Sequence, residues 1–149
     1  MLPWLLRIWR QLPNPLRQLY LRLVYGHFAV GLAALIRDER GRILIVQRTY
    51  SRDEPWALPG GWLERGGEGI ERGLERELLE ETGLRVRVCG IKAAERTGFV
   101  VVMLMETELL DATTNFRPSA EVSAVDWVEP TAVGQLSRLN ARLLRRALA

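Results

Sequence analysis

Glu77, Glu80 and Glu81 stand at i, i+3 and i+4 within the run Arg76-Glu-Leu-Leu-Glu-Glu-Thr-Gly-Leu84. On a helix these three positions share one face. Carboxylates crowded in this way repel one another at neutral pH, and only Arg76 and Arg85 lie near enough in sequence to offset them. A cation placed among them relieves that repulsion. A hard divalent ion with oxygen ligands is the natural partner: magnesium uses one or two carboxylates, keeps several waters and binds substrate phosphates. The long arm of glutamate lets the carboxylate reach from a helix into an open cleft. For three glutamates taken alone, the alternative is a solvated helix face.

The flanking residues separate these readings. The run follows Gly60-Gly-Trp-Leu-Glu-Arg-Gly-Gly-Glu68, itself preceded by Trp56-Ala-Leu-Pro59. From Glu68, through seven residues, to Arg76-Glu77, apolar Leu78, Glu80-Glu81 and Gly83-Leu84, the pattern resembles the Nudix box. The strand ending in Gln47-Arg48 and the close Val125-Asp126-Trp127-Val128 extend the resemblance over roughly residues 28–148. One departure is present: six residues separate Gly61 from Glu68 where the family has five, with Gly66-Gly67 in place of a single glycine. Glycine accepts positive φ and is readily inserted in a turn, so the loop is expected to change shape and the helix to be unaffected.

The resemblance implies an α+β fold, a Nudix-like α/β/α sandwich with a mixed β-sheet. It implies a hydrolase that cleaves the diphosphate linkage of a nucleoside diphosphate joined to another group, with Mg2+ or Mn2+ as cofactor. It also implies roles. Glu77 and Glu81 are the metal ligands, Glu80 is a third carboxylate and candidate base, and a backbone carbonyl of the Gly60-Gly61 turn, assigned to Gly61, completes the set. Arg76 and Glu68 form a supporting ion pair. Glu121, ahead of a C-terminal strand, is a candidate base or further ligand. Arg48 and Arg52 are candidates for substrate phosphates, as is Arg96. Trp56 and Trp62 flank the turn, where either could stack on a base or sugar or pack under the loop; Trp56 is carried as a substrate-binding candidate. Tyr50, Phe99 and Phe116 are weaker stacking candidates. The added signatures of the NADH, coenzyme A and ADP-ribose subgroups are missing around the box, which leaves a general nucleotide substrate open.

Several elements must position these residues. Residues 28–36 form an apolar run long enough for a buried strand, Asp38-Glu39-Arg40-Gly41 is a turn signal, and residues 42–48 make a second strand, so the pair reads as a hairpin. Residues 70–82 read as the helix carrying the glutamates, with Ile70, Leu74, Leu78 and Leu79 inward and Gly83 at its C-terminus. Residues 85–88 alternate as a strand. Residues 99–105 and 122–128 are further strands, and 131–148 a closing helix. Strands and helices mix without regular βαβ alternation, which favours an α+β arrangement over a Rossmann sheet.

The chain has 149 residues, 48% of them hydrophobic and 26% charged, enough for one domain with a real core. Residues 27–149 are assigned to that domain and residues 1–26 to an amphipathic helical extension broken at Pro13-Asn14-Pro15. The net charge of +3 is unevenly spread. Residues 1–37 hold five arginines and no acid, so the remaining 112 residues carry 16 basic and 18 acidic groups, a net of −2. Arginines among Trp4, Trp9 and Tyr20 suit either packing on the domain or a second subunit, giving a homodimer, or weak contact with an anionic membrane surface. No nucleic-acid recognition motif accompanies them. The apolar start is too short and too interrupted for a signal peptide, so the cytoplasm is the expected location. Cys89, the single cysteine, is expected to be a buried structural thiol and His27 structural. A nucleotide-sensing module without catalysis is the alternative to the hydrolase; the costly glutamate cluster argues against it.

Overall fold

Apolar side chains recur on both faces of the first two strands, and this sets the layering. The computed structural model describes residues 11–53, 55–63, 69–111 and 116–149. The chain runs α1 (Asn14–Tyr25), β1 (Ala29–Leu35), β2 (Ile43–Arg48), β3 (Trp56–Ala57), α2 (Ile70–Thr82), β4 (Arg85–Thr97), β5 (Val100–Asp111), β6 (Val122–Val128), a 3-10 turn (Val133–Gln135) and α3 (Arg138–Leu148). One sheet has the order β1-β5-β4, with β1 parallel to β5 and β4 antiparallel to it; the other is antiparallel, in the order β3-β2-β6.

Successive residues of a strand point to opposite faces. Ala33 and Leu35 of β1 and Ile43 and Ile45 of β2 join Leu143 and Leu144 of α3 in one core cluster. Leu32 and Ala34 of β1 and Leu44 of β2 join Leu74 and Leu78 of α2 in another. The sheets are therefore sandwiched between α2 and α3, which is the expected α+β architecture.

The expected hairpin is corrected. β1 and β2 follow one another through a turn in which Asp38 accepts hydrogen bonds from the backbone N–H of Arg40 (3.0 Å) and Arg42 (2.8 Å). Beyond the Leu44 N–H to Ile36 carbonyl bond and a bridge at Arg37 and Ile43, the strands diverge into different sheets. β1 takes β5 as its parallel partner, a pairing of distant segments that no local pattern announces.

Three smaller expectations also shift. The closing helix begins at Arg138 because the Ser137 side chain caps it, accepting from the Asn140 backbone N–H; residues 133–135 form only a 3-10 turn. Cys89 is exposed: Val86 and Val88 face the core, so the alternation of β4 sets Cys89 on the outer face with Arg85 and Arg87. Leu79 is 48% exposed while its neighbour Leu78 is fully buried, so the apolar stripe of α2 is narrower than its sequence suggests. Residues 1–10, the first part of the expected extension, and Glu68 lie outside the described residues.

Adjacent leucines in α2 therefore make a direct test. Leu78→Ala empties a filled position and should cost about 2–5 kcal/mol. Leu79→Ala should stay within about 0.5 kcal/mol of the wild type. Urea denaturation of the two variants reads the difference.

Candidate active site

The floor of the site is built by a turn laid along β1. The backbone after β3 pairs with that strand at three points: Ala34 N–H to the Pro59 carbonyl, Leu32 N–H to the Gly61 carbonyl and Leu63 N–H to the Val30 carbonyl, each 2.8 Å. Gly60 sits at φ 138° with its Cα against the β1 backbone, where a Cβ would overlap the Leu32 carbonyl oxygen. Only glycine allows that approach. The Gly61 carbonyl, expected in the metal set, is the acceptor for Leu32 and so is engaged with β1. Gly61 also opens space, since a Cβ there would overlap the Glu77 carboxylate.

α2 delivers the carboxylates to this turn. Leu74 and Leu78 fix its buried side. Glu75 ties it to β4 by accepting the Val88 N–H at 2.8 Å. The buried Thr82 hydroxyl donates to the Leu78 carbonyl at 2.6 Å and accepts the Leu84 N–H at 3.2 Å. Gly83, at φ 73°, ends the helix with its N–H on the Leu79 carbonyl. Glu77 then lies against Gly61, and Glu81 accepts the Gly60 N–H at 3.4 Å. Burial pushes the Glu81 carboxyl up to about 7; the Gly60 N–H opposes this, the Glu77 charge adds to it, Arg48 opposes it and Glu121 adds to it. Glu80 points elsewhere: it pairs with Arg76 at 3.3 Å across one helical turn, with 62% of its side chain exposed. Arg76 also lies 3.9 Å from Glu77.

An open cleft of about 710 Å3 spreads over the turn and α2. Arg48, Tyr50, Glu121, Glu80 and Arg76 line it as well. The Arg48 guanidinium donates to the Leu58 carbonyl at 3.4 Å and lies 5.9 Å above the Tyr50 ring, an arrangement that orients a cation toward an anionic ligand. Thr49 holds the Glu121 segment through its N–H on the Glu121 carbonyl at 2.9 Å. Trp62 is 59% exposed, beside Gly31 at the cleft. The other substrate candidates lie elsewhere. Trp56 packs against the core on the α3 side, and exposed Arg52 is not among the described residues that line the cleft. Asn140 does line it, with its side-chain amide donating to Ser137 at 2.6 Å. Ser137 followed three residues later by Asn140 signals a helix start, but nothing in that spacing signals a cleft.

The donor set fits a divalent ion of the magnesium type. Among the described residues no three His, Cys, Asp or Glu side chains form a closed cage. Glu77 and Glu81 nevertheless converge on one turn, with Glu121 close enough to act electrostatically on Glu81. Two carboxylates with open positions for water and phosphate are what magnesium requires.

Metal-free stability should report Glu81 directly. Its folded-state value, about 7, lies above the ordinary 4.5. The stability it contributes is therefore complete below the ordinary value and is lost as pH rises through the folded one. Above that window Glu81→Gln should melt higher than the wild type in chelator, and the gain should shrink toward the lower end. Adding magnesium or manganese at the higher pH should stabilise the wild type more than the variant. Differential scanning fluorimetry across pH, with and without metal, checks both signs.

Known proteins resemble this chain in sequence and in fold. The NUDIX domain family matches residues 27–147. A MutT-like protein of Streptomyces ambofaciens is 32% identical over 107 residues, covering 72% of this chain and 68% of that protein. An ADP-ribose pyrophosphatase of Methanocaldococcus jannaschii is 37% identical over 65 residues, 44% of this chain and 38% of that protein. The crystal structure of a MutT NUDIX hydrolase from Burkholderia pseudomallei superposes with a TM-score of 0.68 over 79% of this chain and 96% of that one; at 22% identity the likeness is one of fold. The chain thus belongs to the NUDIX domain family, as a diphosphate hydrolase of that type.

Proposed function

We propose that the protein hydrolyses the diphosphate linkage of a nucleoside diphosphate joined to another group, in the cytoplasm, with magnesium or manganese held by Glu77 and Glu81. The observation that carries this reading is the convergence of those two carboxylates on the Gly60-Gly61 turn at the floor of an open cleft. The partial relatedness to an ADP-ribose pyrophosphatase supports a nucleotide derivative as substrate. Residues 27–149 do this work and residues 1–26 stand outside it.

When bound, the ion supplies positive charge against the phosphate oxygens and acidifies the attacking water. The chain supplies placement. Gly60 and Gly61 keep the floor of the cleft low enough for a phosphate to approach the carboxylates. Arg48, over Tyr50 and beside the Leu58 carbonyl, offers positive charge to the substrate from the cleft lining. Arg76 is held by Glu80 and steadies α2 beside Glu77. Water attacks one phosphorus, the bridging P–O bond breaks, and the water's proton passes to a carboxylate. Glu80 is engaged with Arg76, so Glu121 is the better placed base.

The test is a panel of nucleoside triphosphates, dinucleoside polyphosphates and nucleotide sugars, run with magnesium, with manganese and with chelator, and products identified by mass. Cleavage should require metal. Glu81→Gln should lower it roughly 100-fold or more. Glu121→Gln should lower kcat by roughly 100-fold with KM little changed. Metal-dependent nucleotide binding without turnover would overturn the reading.

A further inference from the structure

We propose that α1 is an interfacial helix that seats the protein on the surface of an anionic phospholipid bilayer. Six of the fifteen exposed large hydrophobic side chains among the described residues lie on this one helix: Leu16, Leu19, Tyr20, Leu21, Leu23 and Val24. Leu16, Leu19, Tyr20 and Leu23 fall at i, i+3, i+4 and i+7 and make one continuous stripe, with Leu23 76% exposed. A helix of this kind normally buries such a stripe against its own domain. None of its residues enters either core cluster, and no strand or other helix of the described chain packs extensively along it. Phe28, just beyond its end, is also exposed. Clustered apolar surface of this kind marks an interaction site.

Charge selects the occupant. Residues 1–37 hold five arginines and no acid, whereas the rest of the chain is net negative. Exposed Arg22 and part-buried Arg17 flank the stripe on its two sides, each about 60° beyond its edge. Two copies of α1 packed face to face would bring arginines together with no acid on the segment to offset them. An anionic lipid surface offsets the arginines of α1, accepts the leucines below the headgroups and suits Tyr20 at the boundary; Arg37, beyond β1, is already paired with Glu106. No described helix is long and apolar enough to cross a membrane, so the helix lies on the surface. This inference does not depend on the substrate or the metal.

Co-sedimentation of the full chain with vesicles tests it, comparing phosphatidylcholine alone with phosphatidylcholine mixed with phosphatidylglycerol. The full chain should pellet only with the mixed vesicles, and less so at high salt. The double variant Leu19→Glu, Leu23→Glu should lose pelleting by at least roughly tenfold. Arg22→Gln should weaken it roughly fivefold. All three proteins should melt at the same temperature, since the helix contributes nothing to the cores. Failure to pellet with either vesicle, or equal pelleting with both, would overturn the proposal. So would a lower melting temperature in the double variant, which would place the stripe against the domain. A dimer by light scattering that dissociates in the double variant would assign the face to a second copy.

Discussion

Carboxylates gathered on one side of a half-buried helix repel more strongly than in water, because the local dielectric is lower. The rest of the structure answers to that cost. α2 cannot turn Glu77 and Glu81 out to solvent, because Leu74 and Leu78 must stay in the core and Glu75 must stay on the Val88 N–H. One rotational setting meets all three demands, and it aims the acids at the Gly60-Gly61 turn. Burial, with the Glu77 charge adding to it, lifts the Glu81 carboxyl to about 7. A cation placed among these carboxylates would offset that cost, which is the arrangement the proposed metal-dependent hydrolysis calls for.

The turn is the second half of the constraint. It is an extended segment stitched to β1 through Leu32 and Ala34, whose side chains serve the α2-side core while their N–H groups hold Gly61 and Pro59. A strand buried on both faces is a rigid support, and a functional group hung from its edge inherits that rigidity. The glycines follow from this closeness: at Gly60 there is no volume for a side chain between turn and strand, and at Gly61 the volume belongs to Glu77. Beside them, with its guanidinium on the Leu58 carbonyl, Arg48 stands at the end of β2, where the pairing with β6 slips between Gln47 and Arg48. Bulges of this kind re-aim side chains beside active sites.

What was legible in the sequence was local. The period of Leu74 and Leu78, the spacing of the glutamates and Gly83 as a helix end are all written within a few turns, and α2 forms where they put it. Partners distant in sequence were not legible. Nothing in residues 28–48 says that β1 pairs with β5 in parallel and leaves β2 to β6, because that choice is made by burial on both faces. Cys89 is expected inside because lone cysteines are usually buried, yet alternation with the inward Val86 and Val88 places it on the outer face of β4, where it is exposed. Trp56 has the residue type for stacking on a ligand, yet its bridge to Leu136 joins it to the other core cluster. Asn140 is silent in the sequence because a cleft is formed by elements meeting, and α3 meets β1 only in the folded chain.

The longer loop ahead of α2 shows the same division between local and long-range control. The additional residue falls between Leu63, whose N–H is fixed to Val30, and the start of α2 at Ile70. A one-residue slip within a helix would turn every later side chain by about 100°, carrying Leu78 out of the core and the glutamates off the turn. No such slip occurs, since Leu78 is fully buried and Glu81 meets Gly60. The rotation of α2 is therefore set by what it buries against the sheets and by Glu75 on β4, and not by the number of residues that precede it.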